Sequence, residues 1–264
     1  MLLPIYTPDN CRPAYRLYWS LSLFWKAPCP PPEDWSLSLS QVVEQDGVRI
    51  LGHRLKDAQV SQFLLSTRPE VAPSQAIRSV KGRLQYLVRG QLPKAFRRNY
   101  AIHSVGSVKR EAIDKYIASQ VGHHAMADGR VDRLLEECQV HRPEVDLAAV
   151  RRSSHGEFSH NLHLVLVHEG RWHEIRKEIM EKLRRMILGA SQTKGHLLAR
   201  AGILSDHVHL ALGCGIEESP LQVAVGYLNN LAYAQGMTAV YQFGFYVGTF
   251  GEYDLGAIRR HLPT

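Results

Sequence analysis

The chain carries one arrangement of elements twice, and that repetition constrains its fold more than any single motif. The segment P-S-Q-A-I-R-S-V-K-G-R-L-Q-Y-L at 73–87 aligns with P-L-Q-V-A-V-G-Y-L-N-N-L-A-Y-A at 220–234. Matches fall in register at Pro73/Pro220, Gln75/Gln222, Leu84/Leu231 and Tyr86/Tyr233. Each segment opens on a proline, which suits the first turn of a helix because the N–H it lacks would be unpaired there anyway. Further on, G-S-V-K-R-E-A-I-D-K-Y ending at Tyr116 aligns with G-E-Y-D-L-G-A-I-R-R-H ending at His261. Self-similarity at this scale means one supersecondary unit used twice.

The order of predicted elements repeats as well. L-Y-W-S-L-S-L-F-W at 17–25 and N-L-H-L-V-L-V-H at 161–168 both alternate like half-buried strands. A helix follows each, weakly signalled near 34–45. It is strong at 171–190, where Ile175, Ile179, Leu183 and Ile187 make an apolar stripe. Two strands come next, then the proline-started helix, a short strand and a final helix. A β-α-β-β-α-β order is that of a ferredoxin-like sandwich. The expectation is an α+β protein of two tandem ferredoxin-like modules, at 1–120 and 157–264. A polar, His-rich linker at 121–156, with a short helix around 130–138, would join them. A chain of 264 residues accommodates two such domains.

Lys plus Arg number 32 against 25 Asp plus Glu, and the basic residues come in pairs: Arg97–Arg98, Lys109–Arg110, Arg151–Arg152 and Arg184–Arg185. That balance favours a polyanionic partner, although a solvated surface reads the same way. The apolar runs are too short to span a membrane, and the N-terminus does not read as a signal peptide. Cys11, Cys29, Cys138 and Cys214 show neither zinc-knuckle nor disulfide spacing, which fits the cytoplasm; a DNA partner would make the protein nucleoid-associated as well.

Two short motifs carry chemistry. His207-Val208-His209 lies in the apolar run S-D-H-V-H-L-A-L, and residues two apart in a strand share a face. Two neutral imidazoles so placed can hold a divalent ion. With 14 His in the chain, about one His-x-His arises by chance, so the spacing alone equally describes two pocket histidines without a metal. Tyr116 and Gln120, in Y-I-A-S-Q, lie one turn apart on one helix face. Tyrosine can act as a nucleophile, and a glutamine amide can ligate a metal.

D-H-V-H-L at 206–210, the proline-started helix at 220, F-Y-V-G-T-F-G at 245–251 and I-D-K-Y-I-A-S-Q at 113–120 together resemble the single-tyrosine HUH transposases. The likeness covers most of both copies. It implies that His207, His209 and Gln120 bind Mg²⁺ or Mn²⁺ and that Tyr116 attacks DNA. Family members are commonly dimers in which the His pair of one subunit meets the Tyr helix of the other. Here Gln59-Val60-Ser61 aligns with the His pair in the first copy, and His261 stands at the Tyr position of the second. The resemblance therefore implies a single-chain pseudo-dimer of HUH-type domains with one composite site, acting as a monomer on single-stranded, hairpin-containing DNA.

Lys81, Arg83, Arg97, Arg98, Lys109 and Arg110 are the expected phosphate contacts. Trp19, Trp25 and Tyr100 lie in alternating strands and are expected in the core rather than stacked on bases. Two other readings compete with the transesterase. One is a domesticated, non-catalytic DNA-binding protein. The other is a zinc protein using His123, His124, His141 and His155, whose spacing matches no standard site.

Overall fold

The computed structural model describes residues 3–123, 128–236, 239–252 and 255–256. It begins with strand β1 (Arg12–Arg16), followed by β2 (Tyr18–Trp25), helix α1 (Ser36–Gln45), β3 (Val48–Asp57) and β4 (Val60–Thr67). Next come α2 (Pro73–Val88), β5 (Phe96–Val105), α3 (Arg110–His123), α4 (Gly129–Cys138) and the short strands β6 (Val140–His141), β7 (Arg151–Arg152) and β8 (Gly156–Ser159). The chain continues through β9 (Asn161–His168), α5 (Lys177–Lys194), β10 (Leu197–Ile203), β11 (His207–Gly213), α6 (Pro220–Ala234) and β12 (Tyr241–Thr249).

The strands form two six-stranded sheets, ordered β3-β4-β2-β5-β8-β7 and β1-β12-β9-β11-β10-β6. The runs β3-β4-β2-β5 and β12-β9-β11-β10 are antiparallel throughout. Alternation decides which face is dry. Trp19, Leu21, Leu23 and Trp25 of β2 turn toward α1 and α2, where Leu39, Val43, Val80 and Leu84 complete one core. Leu162, Leu164 and Leu166 of β9 and Val208, Leu210 and Leu212 of β11 meet Met180, Leu183, Ile187, Leu228 and Leu231 in the other. Trp19 and Trp25 are thus core residues, and Tyr100 packs against that core with its hydroxyl bonded to Ser153.

The sheets are laced together. After β1, which pairs parallel with β12, one buried residue, Leu17, passes the chain into β2 of the other sheet. After β8, which pairs parallel with β5, buried His160 passes it into β9. Hydroxyls brace the crossing: Thr249 donates to the Val105 carbonyl at 2.6 Å, and Ser104 donates to the Phe250 carbonyl at 2.8 Å. Gly106 is required here, because a Cβ on it would sit 2.9 Å from the Thr249 oxygen.

Three expectations are corrected. The second-half helix begins at Lys177, after a 3₁₀ turn at Glu169–Arg171, so Ile175 lies outside it and is exposed. The buried Glu174 carboxylate holds the Arg176 backbone N–H and guanidinium, fixing a non-helical lead-in. The stripe that packs is Met180, Leu183 and Ile187, with Ile179 half-buried beside it. The segment 121–156 is more than a linker, since it contains α4 and adds edge strands to both sheets. Finally, α3 runs past 120 to His123. Among the described residues no helix is long and apolar enough to cross a membrane.

Candidate composite active site

The apolar alternation of β11 fixes its two histidines. Val208, Leu210 and Leu212 point into the core, so His207 and His209 take the opposite face of the sheet. Both rings are buried, and each Nδ1 is engaged. His207 Nδ1 lies 2.6 Å from Asp206 Oδ1. His209 Nδ1 lies 3.1 Å from Nε2 of His163 on β9, with the two ring planes 15° apart. Arg171 donates to the other oxygen of Asp206 at 2.9 Å. Burial alone would raise the Asp206 carboxyl, but its hydrogen bond with His207 and the charge and hydrogen bond of Arg171 hold it below the ordinary carboxylate range. Burial pushes His163 down to about 4, so it is neutral at pH 7.

Helix α3, from the first half, lies on this face of the second sheet. Ile117 packs so closely on Gly202 that a Cβ there would fall 2.9 Å from Ile117 Cγ2. Asp114 takes a two-pronged grip from Arg200, at 2.6 and 3.2 Å. This docking brings the Tyr116 ring edge-on to His209 at 5.4 Å between centroids, and to His163 at 6.1 Å. Tyr116 is 49% exposed, so its hydroxyl is open to a large substrate. Tyr246 of β12 closes the other side, 5.9 Å from His163. Under the N-terminal half of α3 lies a cavity of about 330 Å³, lined by Arg110, Asp114, His141, Leu147, Ala199 and Phe250.

Tyr116, His207 and His209 therefore come together across the two halves. Gln120 is buried on the same helix, 4% exposed, and its side-chain amide donates to the Tyr116 carbonyl at 3.1 Å. Among the described residues no group of three His, Cys, Asp or Glu is arranged to hold a metal. Two imidazoles whose Nδ1 atoms are both engaged leave their Nε2 atoms as the ones a cation could use, and the Gln120 side-chain oxygen is the further donor the helix carries. His141 is exposed on β6. His124 and the side chain of His123 lie outside the described residues.

The basic residues do not form one patch. Lys81 Nζ donates to the carbonyls of Arg97 and Arg98, and Arg83 pairs with Asp46. Lys109 and Arg110 begin α3, with Arg110 paired to Glu252. Arg97 and Arg98 open β5 while Lys109 follows its far end, so roughly 30 Å separates the two groups at about 3.3 Å per residue.

The alignment of Gln59 and Ser61 with the His pair is corrected by strand register. His207 and His209 pair with Val167 and Val165 of β9, while the matching positions of β2 pair with Val60 and Gln62. Ser61 faces the core, where it accepts from Trp25 Nε1 at 2.9 Å. Sequence reasoning also missed His163, Asp206 and Arg171. His163 was readable: in N-L-H-L-V-L-V-H it alternates with Leu162 and Leu164, which places it on the face opposite the core.

No protein-family model matches the chain, and no curated protein matches it. Among solved structures, a candidate transposase from Deinococcus radiodurans R1 is similar at 17% identity and a TM-score of 0.31, over 40% of this chain and 92% of that one. A REP-associated tyrosine transposase bound to a REP hairpin is similar at 13% identity and a TM-score of 0.31, over 39% of this chain and 61% of that one.

Proposed function

We propose that this chain cleaves and rejoins single-stranded DNA through one composite site, with Tyr116 as nucleophile. The observation that carries this reading is the Tyr116 ring on α3 standing 5.4 Å from His209 of the other half. Two ferredoxin-like modules would have become one pseudo-dimer, each keeping half of a site. The shared strand order, the second-strand/third-strand/first-strand/fourth-strand sequence in both sheets, supports that history.

In the proposed reaction the Tyr116 phenolic oxygen attacks the scissile phosphorus in line. An O–P bond to tyrosine forms, the P–O3′ bond breaks, and the strand leaves as a free 3′-OH. The phenol proton passes to solvent, which reaches this half-exposed ring, and the departing O3′ takes a proton from solvent. Attack by another 3′-OH reverses the step and rejoins strands without ATP. His207, His209 and Gln120 would hold Mg²⁺ or Mn²⁺, which when bound supplies charge stabilisation at the non-bridging phosphate oxygens. Lys109 and Arg110 would grip phosphates beside the site, and Lys81, Arg83, Arg97 and Arg98 a more distant part of a hairpin or strand.

A second reading is a DNA-binding protein without catalysis, in which Gln120 would serve its own helix through the bond from its amide N–H to the Tyr116 carbonyl. One assay separates the two. Labelled single strands and hairpins are incubated with the full chain and Mg²⁺ or Mn²⁺, and a denaturation-resistant protein–DNA band is sought. The transesterase gives a band lost in Tyr116→Phe, in His207→Ala and without metal. Tight binding with no band across these oligonucleotides leaves the non-catalytic binder.

A further inference from the structure

We propose that His163 and Asp206 are positioning residues that set the tautomers of the histidine pair, so that His209 and His207 each present Nε2 to a divalent cation. This rests on the metal-dependent reading above. A neutral imidazole carries one N–H, so whichever nitrogen donates leaves the other as the only lone pair able to ligate. His207 Nδ1 faces an Asp206 oxygen at 2.6 Å, and a carboxylate only accepts, so the proton is on Nδ1. Arg171, bonded to the second Asp206 oxygen at 2.9 Å, fixes that carboxylate in place.

His163 does the same for His209 with an imidazole in place of a carboxylate. The 3.1 Å contact between His209 Nδ1 and His163 Nε2 needs one donor, and donation from His209 is the direction that leaves its Nε2 able to ligate. The first half shows the same direction between equivalent positions. Gln62, which occupies the His209 position, donates its amide N–H to Ser20, which occupies the His163 position, at 2.8 Å. The two ring planes lie within 15° of each other with centroids 5.3 Å apart, so the hydrogen bond runs nearly in plane and also fixes the χ2 angle of His209.

The test measures Mn²⁺ affinity of the full chain by the EPR signal of the free aqueous ion, for the parent protein, His163→Ala, His163→Gln and Asp206→Ala, with melting curves alongside. His163→Ala and Asp206→Ala should each weaken binding about 10–100-fold. His163→Gln, whose amide oxygen still accepts, should return to within a few-fold of the parent. Unchanged affinity in a folded His163→Ala overturns the proposal while leaving the metal site standing. No Mn²⁺ binding by the parent chain overturns the metal reading itself, and this proposal with it. A long-range ¹H–¹⁵N imidazole spectrum of the Mg²⁺-loaded parent needs no variant: both ligand rings should be protonated on Nδ1, and a proton on Nε2 of either sinks the idea.

Discussion

Each sheet has a face turned away from its core helices, and only one of these faces gathers histidines. On the second, His163, His207 and His209 gather under α3. On the first, the corresponding positions are Ser20, Val60 and Gln62. There the polar groups satisfy one another, with Arg54 donating to Gln62 at 2.8 Å and Gln62 to Ser20 at 2.8 Å. Arg54 stands beside Gln62 in the register, where Gly202 stands beside His209, so the first face carries a fixed positive charge that the second does not have at that position. Strand order and dry core are shared; the faces differ at three positions on the side of two strands turned away from the core, and in the helix that covers them.

The most drastic way to break that contrast is to transplant it. Writing the first face onto the second, with His163→Ser, His209→Gln and His207→Val, should lower the rate of DNA adduct formation by at least about 10²–10³-fold. The melting temperature should stay within a few degrees, because the Ser20–Gln62 pair shows that this register tolerates the smaller polar pair. Adduct formation near the parent rate would remove the histidines from the chemistry.

The cores should not show the same contrast. Phe63 and Leu210 occupy equivalent buried positions, each with no exposure. Phe63→Ala should cost about 3–5 kcal/mol and Leu210→Ala about 2–5 kcal/mol. Because β1 and β8 each complete the other half's sheet, both substitutions should shift one shared transition. Urea unfolding offers a direct check. Trp19, Trp25 and Trp35 are buried in the first half, so fluorescence reports mainly there, whereas far-UV circular dichroism reports both. Non-coincident curves would show that the halves unfold separately.

A smaller effect tests how α3 is held over the reactive face. Arg200→Ala removes the bidentate grip on Asp114, and Gly202→Val forces a side chain into Ile117. Arg200 is mostly buried but Asp114 is half-exposed, so the pair contributes about 1 kcal/mol. Amide exchange across 110–123 should accelerate about 5–10-fold in Arg200→Ala, and adduct formation should fall in step. Faster exchange with an unchanged adduct rate would mean that Tyr116 does not act from its docked position.

Much of this contrast was legible in the sequence, and the parts that were not share a physical cause. Proline-started helices at 73 and 220 and the alternating strands at 18–25 and 161–168 announce themselves through local backbone and burial rules. The shared face of His207 and His209 follows from period-two geometry alone. The one-residue error at Gln59 and Ser61 arose because neighbouring polar residues in β4 look alike in sequence, whereas register is set by the cross-strand partner. The short strands β1, β6, β7 and β8 carry too little periodicity to be read, and β1 and β8 are paired by strands far along the chain. His163 and Arg200 acquire roles only through residues far along the chain.

The last and smallest test compares buried histidines. Burial lowers His53, in the first half, from 6.5 to about 4. Burial likewise lowers His160, at the crossing into the second, from 6.5 to about 4, against the opposing pull of its bond to the Gly215 carbonyl. A folded-state value below the unfolded one means that the unfolded chain takes up protons first as the pH falls. Their stabilising contribution is therefore complete above about pH 6.5 and declines steadily toward pH 4. Between pH 7 and 5, His160→Gln should recover about 2 kcal/mol of the stability lost by the parent, and His53→Gln about 1 kcal/mol, because solvent still reaches the half-buried His53 ring. Urea midpoints at the two pH values measure this. Equal acid sensitivity in the parent and in both variants would show that these rings are not what the molecule loses first in acid, and that the carboxylates Glu174 and Glu218, both held low by their partners, dominate instead.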